Sequence, residues 1–293
     1  IENYQALKEV LISEGHQFQS ETDSEVLAHL IEKFYAGNLE AAVAKALALV
    51  EGSYGLVALS IKENKLVAVR QSSPLIIGVG EGETFVASDI PAILNHTKQV
   101  IYLNDNDLAI IDNQGYRLQN LAGQAVDRQV EEVKLNVEQI EKKGFKHFML
   151  KEIFEQPQTL SNVLAGRVKD GQIKLSINLE FNKLKRIVIA ACGTSWHSAL
   201  IGKYLLENIA KTPVEVDYAS EFRYRHPLVN DTDLFVAISQ SGETADTLAA
   251  LREAKWQGAQ TIAIVNVVGS TVTREVDSGI YLHAGPEIGV AST

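Results

Sequence analysis

The sequence predicts an α+β N-terminal part followed by an α/β domain built around a parallel sheet. In the first half, helical stretches are followed by a series of short apolar runs separated by polar turns, which is the order found in α+β domains. In the second half, apolar strands alternate with helical stretches, which is typical of βαβ units and therefore of a parallel sheet. The 46% of hydrophobic residues in 293 is enough for two separate cores.

The N-terminal part begins with helices and continues with strands. Apolar residues recur at helical spacing over residues 3–14 and 24–50, which predicts two amphipathic helices. Thr22 is followed three residues later by Glu25, the capping-box pattern of a helix start. We predict strands at 56–61, 66–70, 75–79, 84–88, 99–103, 107–112 and 115–119.

A charged segment indicates the boundary between the two parts. Residues 127–146 are dense in charge and poor in aromatic residues. The stretch 147–165 has helical spacing but contains Pro157, so we expect two short helices or one helix broken there. We divide the chain into an N-terminal domain over 1–126, a linker and helical segment over 127–178, and the parallel-sheet domain over 179–293.

The parallel-sheet domain shows a regular alternation of elements. We predict strands at 187–191, 214–217, 233–238, 261–265 and 279–283, and helices at 196–210, 219–225 and 244–257.

Composition argues against several functions. Lys and Arg number 27 against 37 Asp and Glu, giving a net charge of −10, so we expect no nucleic-acid partner. No apolar run approaches the roughly 18 residues of a membrane span, so we expect no membrane contact. The single cysteine, Cys192, leaves no internal disulfide, and residues 1–4 do not resemble a signal peptide, so we expect a cytoplasmic protein.

The loop after strand 233–238 has the composition of a phosphate site. The apolar run ends in Ser239-Gln240-Ser241-Gly242 and a helix follows. The unpaired N–H groups at a helix start favour an anion, and a glycine lets it approach the backbone. The loop has neither the lysine of a nucleotide loop nor a G-x-G-x-x-G turn. The side chains of Ser239, Gln240, Ser241 and Thr244 therefore suit a sugar phosphate, although an ordinary helix cap remains an alternative at this point.

A second loop of the same design follows strand 187–191. It contains Cys192, Gly193, Thr194 and Ser195, with a helix expected to begin near Trp196. Ligands of open parallel sheets bind beyond the carboxyl ends of the strands, so we expect both loops to face one pocket. No histidine is placed by an evident motif to activate Cys192, which we interpret as a packing residue.

Other polar residues of this half receive no catalytic assignment. His197 and His226 are interpreted as surface or packing residues. Residues 221–225, Glu-Phe-Arg-Tyr-Arg, fit either a pocket wall or subunit interface, or an amphipathic helix with two solvated arginines, and the pattern leaves both open.

Several motifs resemble one family, the glutamine:fructose-6-phosphate aminotransferases or glucosamine-6-phosphate synthases. Motifs similar to the family's isomerase domain are Ala191–Ser195, Ala219–Tyr224, Ser239–Thr247 and Glu287–Thr293. Motifs similar to its glutaminase domain are Ser20–Val26, Ser73–Gly78 and Phe85–Asp89, and Lys151–Pro157 resembles the joining segment. The motifs follow the family's order over nearly the whole chain, which makes the series far more specific than any one motif.

The resemblance implies a fold, an activity and a set of site residues. The fold is an incomplete N-terminal-nucleophile glutaminase-like part followed by a sugar-isomerase (SIS) domain. The activity is conversion of fructose 6-phosphate to glucosamine 6-phosphate, with ammonia released from glutamine in the N-terminal domain. The resemblance places the sugar phosphate against Cys192, Gly193, Thr194, Ser195, Ser239, Gln240, Ser241 and Thr244, with Val290 and Ser292 near the sugar.

The same resemblance extends to glutamine, cofactors and assembly. Asp23 matches the carboxylate that pairs with the α-ammonium of glutamine, although an aspartate is also favoured at any helix start. The family needs no metal or redox cofactor, because aldose–ketose conversion is a proton transfer. We expect a homodimer.

The chain also departs from the family. The family's nucleophile is an N-terminal cysteine, whereas this chain begins with Ile1, and the matching oxyanion-hole Asn-Gly pair would precede it. The family's isomerase lysine, glutamate and histidine lie in a second SIS repeat, beyond Thr293. We therefore expect an internal fragment that holds no catalytic residue and is inactive alone. A regulatory phosphosugar-binding SIS module and a nucleotide-binding doubly wound protein are the competing hypotheses.

Overall fold

The computed structural model describes residues 1–133, 141–169, 171–175 and 177–290. The chain forms two compact units, Ile1–Leu135 and Asn136–Thr293. None of the described helices is long and apolar enough to cross a membrane.

The first unit begins with three helices. They are α1 (Tyr4–Ser13), α2 (Glu25–Phe34) and α3 (Leu39–Leu47). The single helix predicted over 24–50 is therefore wrong. The chain breaks at Gly37, whose φ is +86°, and Asn38 begins α3 by accepting a hydrogen bond from Ala41 N at 2.8 Å.

The predicted capping box does not form at the start of α2. The Thr22 hydroxyl lies 2.7 Å from Ser20 Oγ instead of bonding to the helix. The Glu25 carboxylate reaches back to the backbone N–H groups of Gln19 and Ser20, at 2.7 and 2.8 Å. The acidic side chain thus fixes the loop before the helix, and the helix begins at Glu25 itself.

Eight strands follow and form two antiparallel sheets. They are β1 (Tyr54–Leu59), β2 (Lys65–Gln71), β3 (Ile76–Val79), β4 (Thr84–Ala87), β5 (Gln99–Tyr102), β6 (Asp107–Asp112), β7 (Gly115–Asn120) and β8 (Glu131–Glu132). The strand orders are β1-β2-β6-β7 and β4-β3-β5-β8. All seven predicted strands are present, and the two-residue β8 was not predicted.

The alternation of side chains along these strands separates two cores. Val67 and Val69 of β2 pack with the helices, in a cluster that includes Leu30 of α2. Ala68, between them, packs on the opposite face with Ile101 of the other sheet. The period of two along a strand therefore gives this unit its layers of helices, sheet and sheet.

The second unit alternates strands and helices. Its elements are α4 (Phe148–Leu164), β9 (Val168–Lys169), β10 (Gln172–Ile173), β11 (Arg186–Ala191), α5 (Gly193–Ile209), β12 (Val214–Tyr218), α6 (Ala219–Tyr224), β13 (Asp233–Ser239), α7 (Ala245–Trp256), β14 (Gln260–Val265), α8 (Thr271–Glu275) and β15 (Ser278–Tyr281). The short β9, β10 and α8 were not predicted.

Two predictions about these helices are wrong. Pro157 neither ends nor divides α4, which runs through it, and the Ser161 hydroxyl donates to the Pro157 carbonyl one turn later. A proline removes only one helical N–H donor, so turns on both sides keep their other bonds. Helix α5 begins at Gly193 rather than Trp196, because Cys192 is already its N-cap.

The five-stranded sheet of this unit is parallel throughout and has the order β12-β11-β13-β14-β15. The chain runs from β11 to β12 on one side and then returns to β13 on the other. The switch point of the topology therefore lies between β11 and β13, where Ala191 pairs with Ile238. Ligands of such sheets bind at this position, just beyond the strand ends.

Candidate functional site

Two helices begin at the switch point. Strand β11 leads through Cys192 into α5, and β13 leads through residues 240–244 into α7. The first N–H groups of a helix have no partner within it, and the helix dipole makes this end positive. The fold thus directs two helix N-termini to one edge of the sheet.

The loop 239–244 fixes the orientation of its own hydroxyl groups. Ser239 is 3% exposed, and its Oγ accepts from Gly242 N at 3.0 Å and lies 3.1 Å from Thr244 Oγ1. Ser241 Oγ accepts from Glu243 N at 3.2 Å. A hydroxyl that accepts in this way keeps its proton to donate. The loop therefore presents hydrogen-bond donors, which suit an anionic ligand.

Position 242 of this loop accommodates only glycine. Its φ is +65°, and a Cβ there would lie 2.1 Å from Ser270 Oγ and 2.6 Å from Ser270 Cβ. The Gly242 carbonyl also accepts from Val272 N at 3.0 Å. The loop therefore packs directly on the start of α8.

Glu243 also ties the loop to α8. Its two carboxylate oxygens accept from Thr271 N at 2.7 Å and from Thr271 Oγ1 at 2.8 Å. Sequence reasoning missed this role, because Thr271 lies 28 residues further along the chain and α8 is too short to show a helical pattern.

Asn266, after β14, adds a third segment to the site. Its backbone N–H donates to the Gln240 carbonyl at 3.0 Å. Its side chain donates to Gly285 O at 2.5 Å and accepts from Ala284 N at 2.8 Å. Sequence reasoning missed Asn266 as well, although a polar residue after an apolar parallel strand was an available signal.

The first loop lies beside the second. The Thr247 hydroxyl, in the first turn of α7, lies 4.0 Å from Cys192 Sγ. Cys192 thus contacts α7 as a half-buried packing residue, in agreement with the interpretation from sequence. Gly193 has a φ of +56°, and Thr194 and Ser195 follow it in the first turn of α5.

A cleft of about 810 Å³ runs along one face of the sheet and reaches this edge. The residues predicted to bind the sugar phosphate that line it are Thr194, Ser195, Ser239 and Gln240. Its apolar wall comes from the sheet, including Ile189, Val236, Ile238 and Ile264. The described lining residues include Glu152, Glu155 and Glu287 but no lysine or arginine.

The other predicted site residues have different positions. Four of them belong to the two loops but are not among the described lining residues: Cys192, Gly193, Ser241 and Thr244. Val290 is 49% exposed, and Ser292 lies outside the described residues. The segment before Val290 is held by Glu152 of α4, which accepts from Ile288 N at 2.7 Å and Gly289 N at 3.1 Å.

Helix α6 contains Glu221 to Tyr224, and Arg225 is its C-cap. Phe222 is fully buried, so the helix is amphipathic. Arg223 pairs with Asp246 of α7 at 3.0 Å, and Arg225 pairs with Asp217 and Glu215 at 2.5 and 2.7 Å. Both arginines form ion pairs while their side chains stay partly exposed, and Arg223 connects α6 to the first turn of α7.

The histidines of this unit take no part in the cleft. His197 and His226 are both exposed, and His197 Nδ1 lies 3.0 Å from the Gly193 carbonyl oxygen one turn before it.

Asp23 belongs to the first unit and lies just before α2. Its carboxylate pairs with the α-ammonium of Ile1, and this hydrogen bond lowers the pKa of Asp23 below its usual value. Its side chain is 45% exposed.

Comparison with protein families matches both units. Residues 180–293 match the SIS domain, and residues 1–95 match the glutamine amidotransferase domain.

Curated relatives match over the whole chain. A glutamine–fructose-6-phosphate aminotransferase [isomerizing] of Chlorobaculum tepidum is 52% identical over 304 aligned residues, covering all of this chain and 50% of the relative. The enzyme of the same name from Thermus thermophilus is 50% identical and covered to 49%. The chain spans about half the length of the curated relatives it matches.

A solved structure supports the second unit. The C-terminal domain of glucosamine-fructose-6-phosphate aminotransferase from Francisella tularensis matches 52% of this chain and 44% of its own, with 49% identity and a TM-score of 0.50. The chain thus has a glutamine amidotransferase domain followed by a SIS domain, and over its whole length it is about 50% identical to half of each of these aminotransferases.

Proposed function

We propose that the chain binds fructose 6-phosphate at the switch point of its SIS domain and glutamine through Asp23. It would thereby supply substrate-binding parts for the glutamine-dependent synthesis of glucosamine 6-phosphate. The observation that carries the proposal is the meeting of two helix N-termini with the hydroxyls of Thr194, Ser195 and Ser239 around one cleft.

The hydrogen-bond donors of the two loops, rather than charged side chains, support a phosphate monoester that carries further hydroxyls. Since the described lining has no lysine or arginine, the phosphate is held by hydroxyl protons, backbone N–H groups and the positive ends of α5 and α7. We assign the phosphate to Ser239, Gln240, Ser241 and Thr244, and the opposite side of the pocket to residues 192–195. The acidic and amide side chains of Glu287 and Asn266 suit the sugar hydroxyls, which are neutral donors and acceptors.

The glutamine part of the proposal rests on Asp23. The Asp23 carboxylate is partly exposed just before α2, and it matches the residue of the family that pairs with the α-ammonium of glutamine. We further propose a cytoplasmic homodimer without a nucleic-acid partner, a view that the net charge of −10 supports.

The sugar-phosphate assignment is tested by calorimetric titration with fructose 6-phosphate, using ATP as the competing ligand. Replacing Ser239 and Thr244 together by alanine removes two hydroxyl donors to a charged ligand, each worth about 1.5–3 kcal/mol. We expect the affinity for fructose 6-phosphate to fall at least a hundredfold.

Thr212→Ala is the matched control, because Thr212 lies between α5 and β12, away from the carboxyl ends of the strands. An unchanged dissociation constant in the double variant, or tighter binding of ATP than of fructose 6-phosphate, would show that the assignment is wrong.

A further inference from the structure

Three potential metal ligands meet at the surface of the first unit. Helix α1 ends at Ser13, Gly15 follows with a φ of +99°, and His16 N donates to Leu11 O at 3.0 Å. This turn directs His16 toward α2, on which His29 and Glu32 are one turn apart. The three ligand atoms all lie within 4.8 Å of one another.

The distances among these atoms fit the ligands of one metal ion. His16 Nδ1 lies 3.2 Å from His29 Nδ1, and Glu32 Oε2 lies 3.6 and 3.9 Å from these two nitrogens. Tetrahedral Zn²⁺ binds such atoms at about 2.0–2.2 Å, which sets them about 3.3–3.6 Å apart. The distances of 3.2, 3.6 and 3.9 Å lie within about 0.3 Å of this range, so small side-chain shifts would let one ion contact all three atoms.

A carboxylate on the far side of His29 favours the ring form that a metal needs. Glu25 Oε1 lies 3.5 Å from His29 Nε2. The Glu25 carboxylate also accepts from the Gln19 N–H at 2.7 Å and from the Ser20 hydroxyl, which fix its orientation beside His29. An ionised carboxylate that accepts from Nε2–H leaves the Nδ1 lone pair free, as in the carboxylate–histidine pairs that support metal ligands in proteins.

The surroundings fix the rings and leave one side open. The side chains of His16 and His29 are 18% and 16% exposed, and the Phe18 ring lies 4.3 Å from the His29 ring. The side chain of Glu32 is 74% exposed, so a water molecule can reach the fourth coordination position of an ion bound by these three residues. Lys33, the cation that follows Glu32, is paired with Glu14 at 2.5 Å and does not compete for the Glu32 carboxylate.

We propose that His16, His29 and Glu32 bind Zn²⁺, with a water molecule as the fourth ligand. Two imidazoles and one carboxylate form a set that zinc accepts readily, whereas magnesium and calcium prefer oxygen ligands alone. The ion joins the end of α1 to the exposed side of α2. Its role is separate from the binding of glutamine and of sugar phosphate.

The test is calorimetric titration of the full chain with Zn²⁺. We expect one site in the unmodified chain, at least tenfold weaker binding in Glu32→Gln, and no specific binding in the double variant His16→Asn/His29→Asn. His147→Gln is the matched control, because His147 is an exposed histidine of the other unit. Its affinity should equal that of the unmodified chain.

A second readout reports coordination rather than stability. Co²⁺ added to the unmodified chain should give the visible absorption of a tetrahedral nitrogen and oxygen site, absent in the double variant. Because Glu32 is largely exposed, we expect the Glu32→Gln variant to fold normally. It therefore tests the proposal even if the double variant does not fold. Equal Zn²⁺ affinity in the unmodified chain and Glu32→Gln, or no binding to the unmodified chain, would overturn the proposal.

Discussion

At the scale of single residues, the polar residues of the candidate site form two groups: those with partners nearby in the sequence and those with distant partners. Ser239, Gln240 and Ser241 were found from sequence because strand, hydroxyls, glycine and helix follow one another directly. Glu243 and Asn266 were missed because their partners, Thr271 and Gly285, lie 28 and 19 residues away. Which residues meet across such distances depends on the pairing of strands, which no local pattern specifies.

Gly242 gives the sharpest prediction at this scale. Gly242→Ala places a methyl group against Ser270 and requires a positive φ, so we expect a loss of about 2–4 kcal/mol in the free energy of unfolding. Binding of fructose 6-phosphate should weaken at least tenfold, as measured by titration.

Two further variants separate the causes of that loss. Gly258 also has a positive φ, +94°, but nothing lies within 4 Å of its would-be Cβ, so Gly258→Ala reports backbone strain alone. Adding Ser270→Gly to Gly242→Ala removes the clash and should recover part of both losses. If Gly242→Ala is no more harmful than Gly258→Ala, the packing of the loop on α8 is not what selects glycine.

At the scale of elements, strands were predicted better than helix ends. Strands β1 to β7 each carry apolar residues between polar turns, and these signals lie within a few residues. The break between α2 and α3 was missed because apolar residues continue on both sides of Gly37 and Asn38. The start of α5 was placed three residues late because Gly193, Thr194 and Ser195 are weak helix formers, although all three belong to the helix.

Glu25 makes a pH-dependent contribution at the start of α2. Its pKa is lowered from 4.5 to about 2 in the folded chain by the Ser20 hydroxyl and the N–H of Gln19. A carboxylate with a depressed pKa stabilises the fold above its unfolded pKa, and this contribution is lost as the pH falls toward the folded value. In Glu25→Gln we therefore expect a lower Tm than in the unmodified chain at pH 7.

The difference in Tm should shrink as the pH falls below about 4.5, the unfolded value. Both proteins are measured in the presence of a chelator, so that metal binding at His29 does not contribute. Glu51→Gln, at an exposed glutamate, is the control and should show no such trend. A difference that stays constant from pH 7 to pH 3 would contradict the assignment of the carboxylate.

At the scale of the whole molecule, the two units have separate hydrophobic cores. One is centred on residues such as Leu30, Val67 and Leu108, and the other on Phe235, Leu248 and Leu251. The change in composition near residues 127–146 made the division visible in the sequence, whereas the arrangement of layers depended on strand pairing. We expect calorimetry to show two unfolding transitions.

Leu251→Ala assigns these transitions to the units. Leu251 is fully buried in the second core, so the change should cost about 2–5 kcal/mol and lower one transition only. Fructose 6-phosphate at a concentration one hundred times its dissociation constant should raise the free energy of unfolding of the same unit by about 2.7 kcal/mol. The midpoint of that unit's transition should rise accordingly. If the ligand shifts the other transition alone, the assignment of the sugar-phosphate site to the second unit is wrong.

The hydrogen bonds within loop 239–244 have a kinetic consequence. Ser239 and Ser241 are held by Gly242 N and Glu243 N before any ligand arrives, so little conformational entropy remains to be lost on binding. Ligand capture then needs no slow closing of this loop. Stopped-flow mixing should show association in a single phase whose rate rises in proportion to the sugar-phosphate concentration. Ligands of different affinity should differ mainly in their dissociation rate constants.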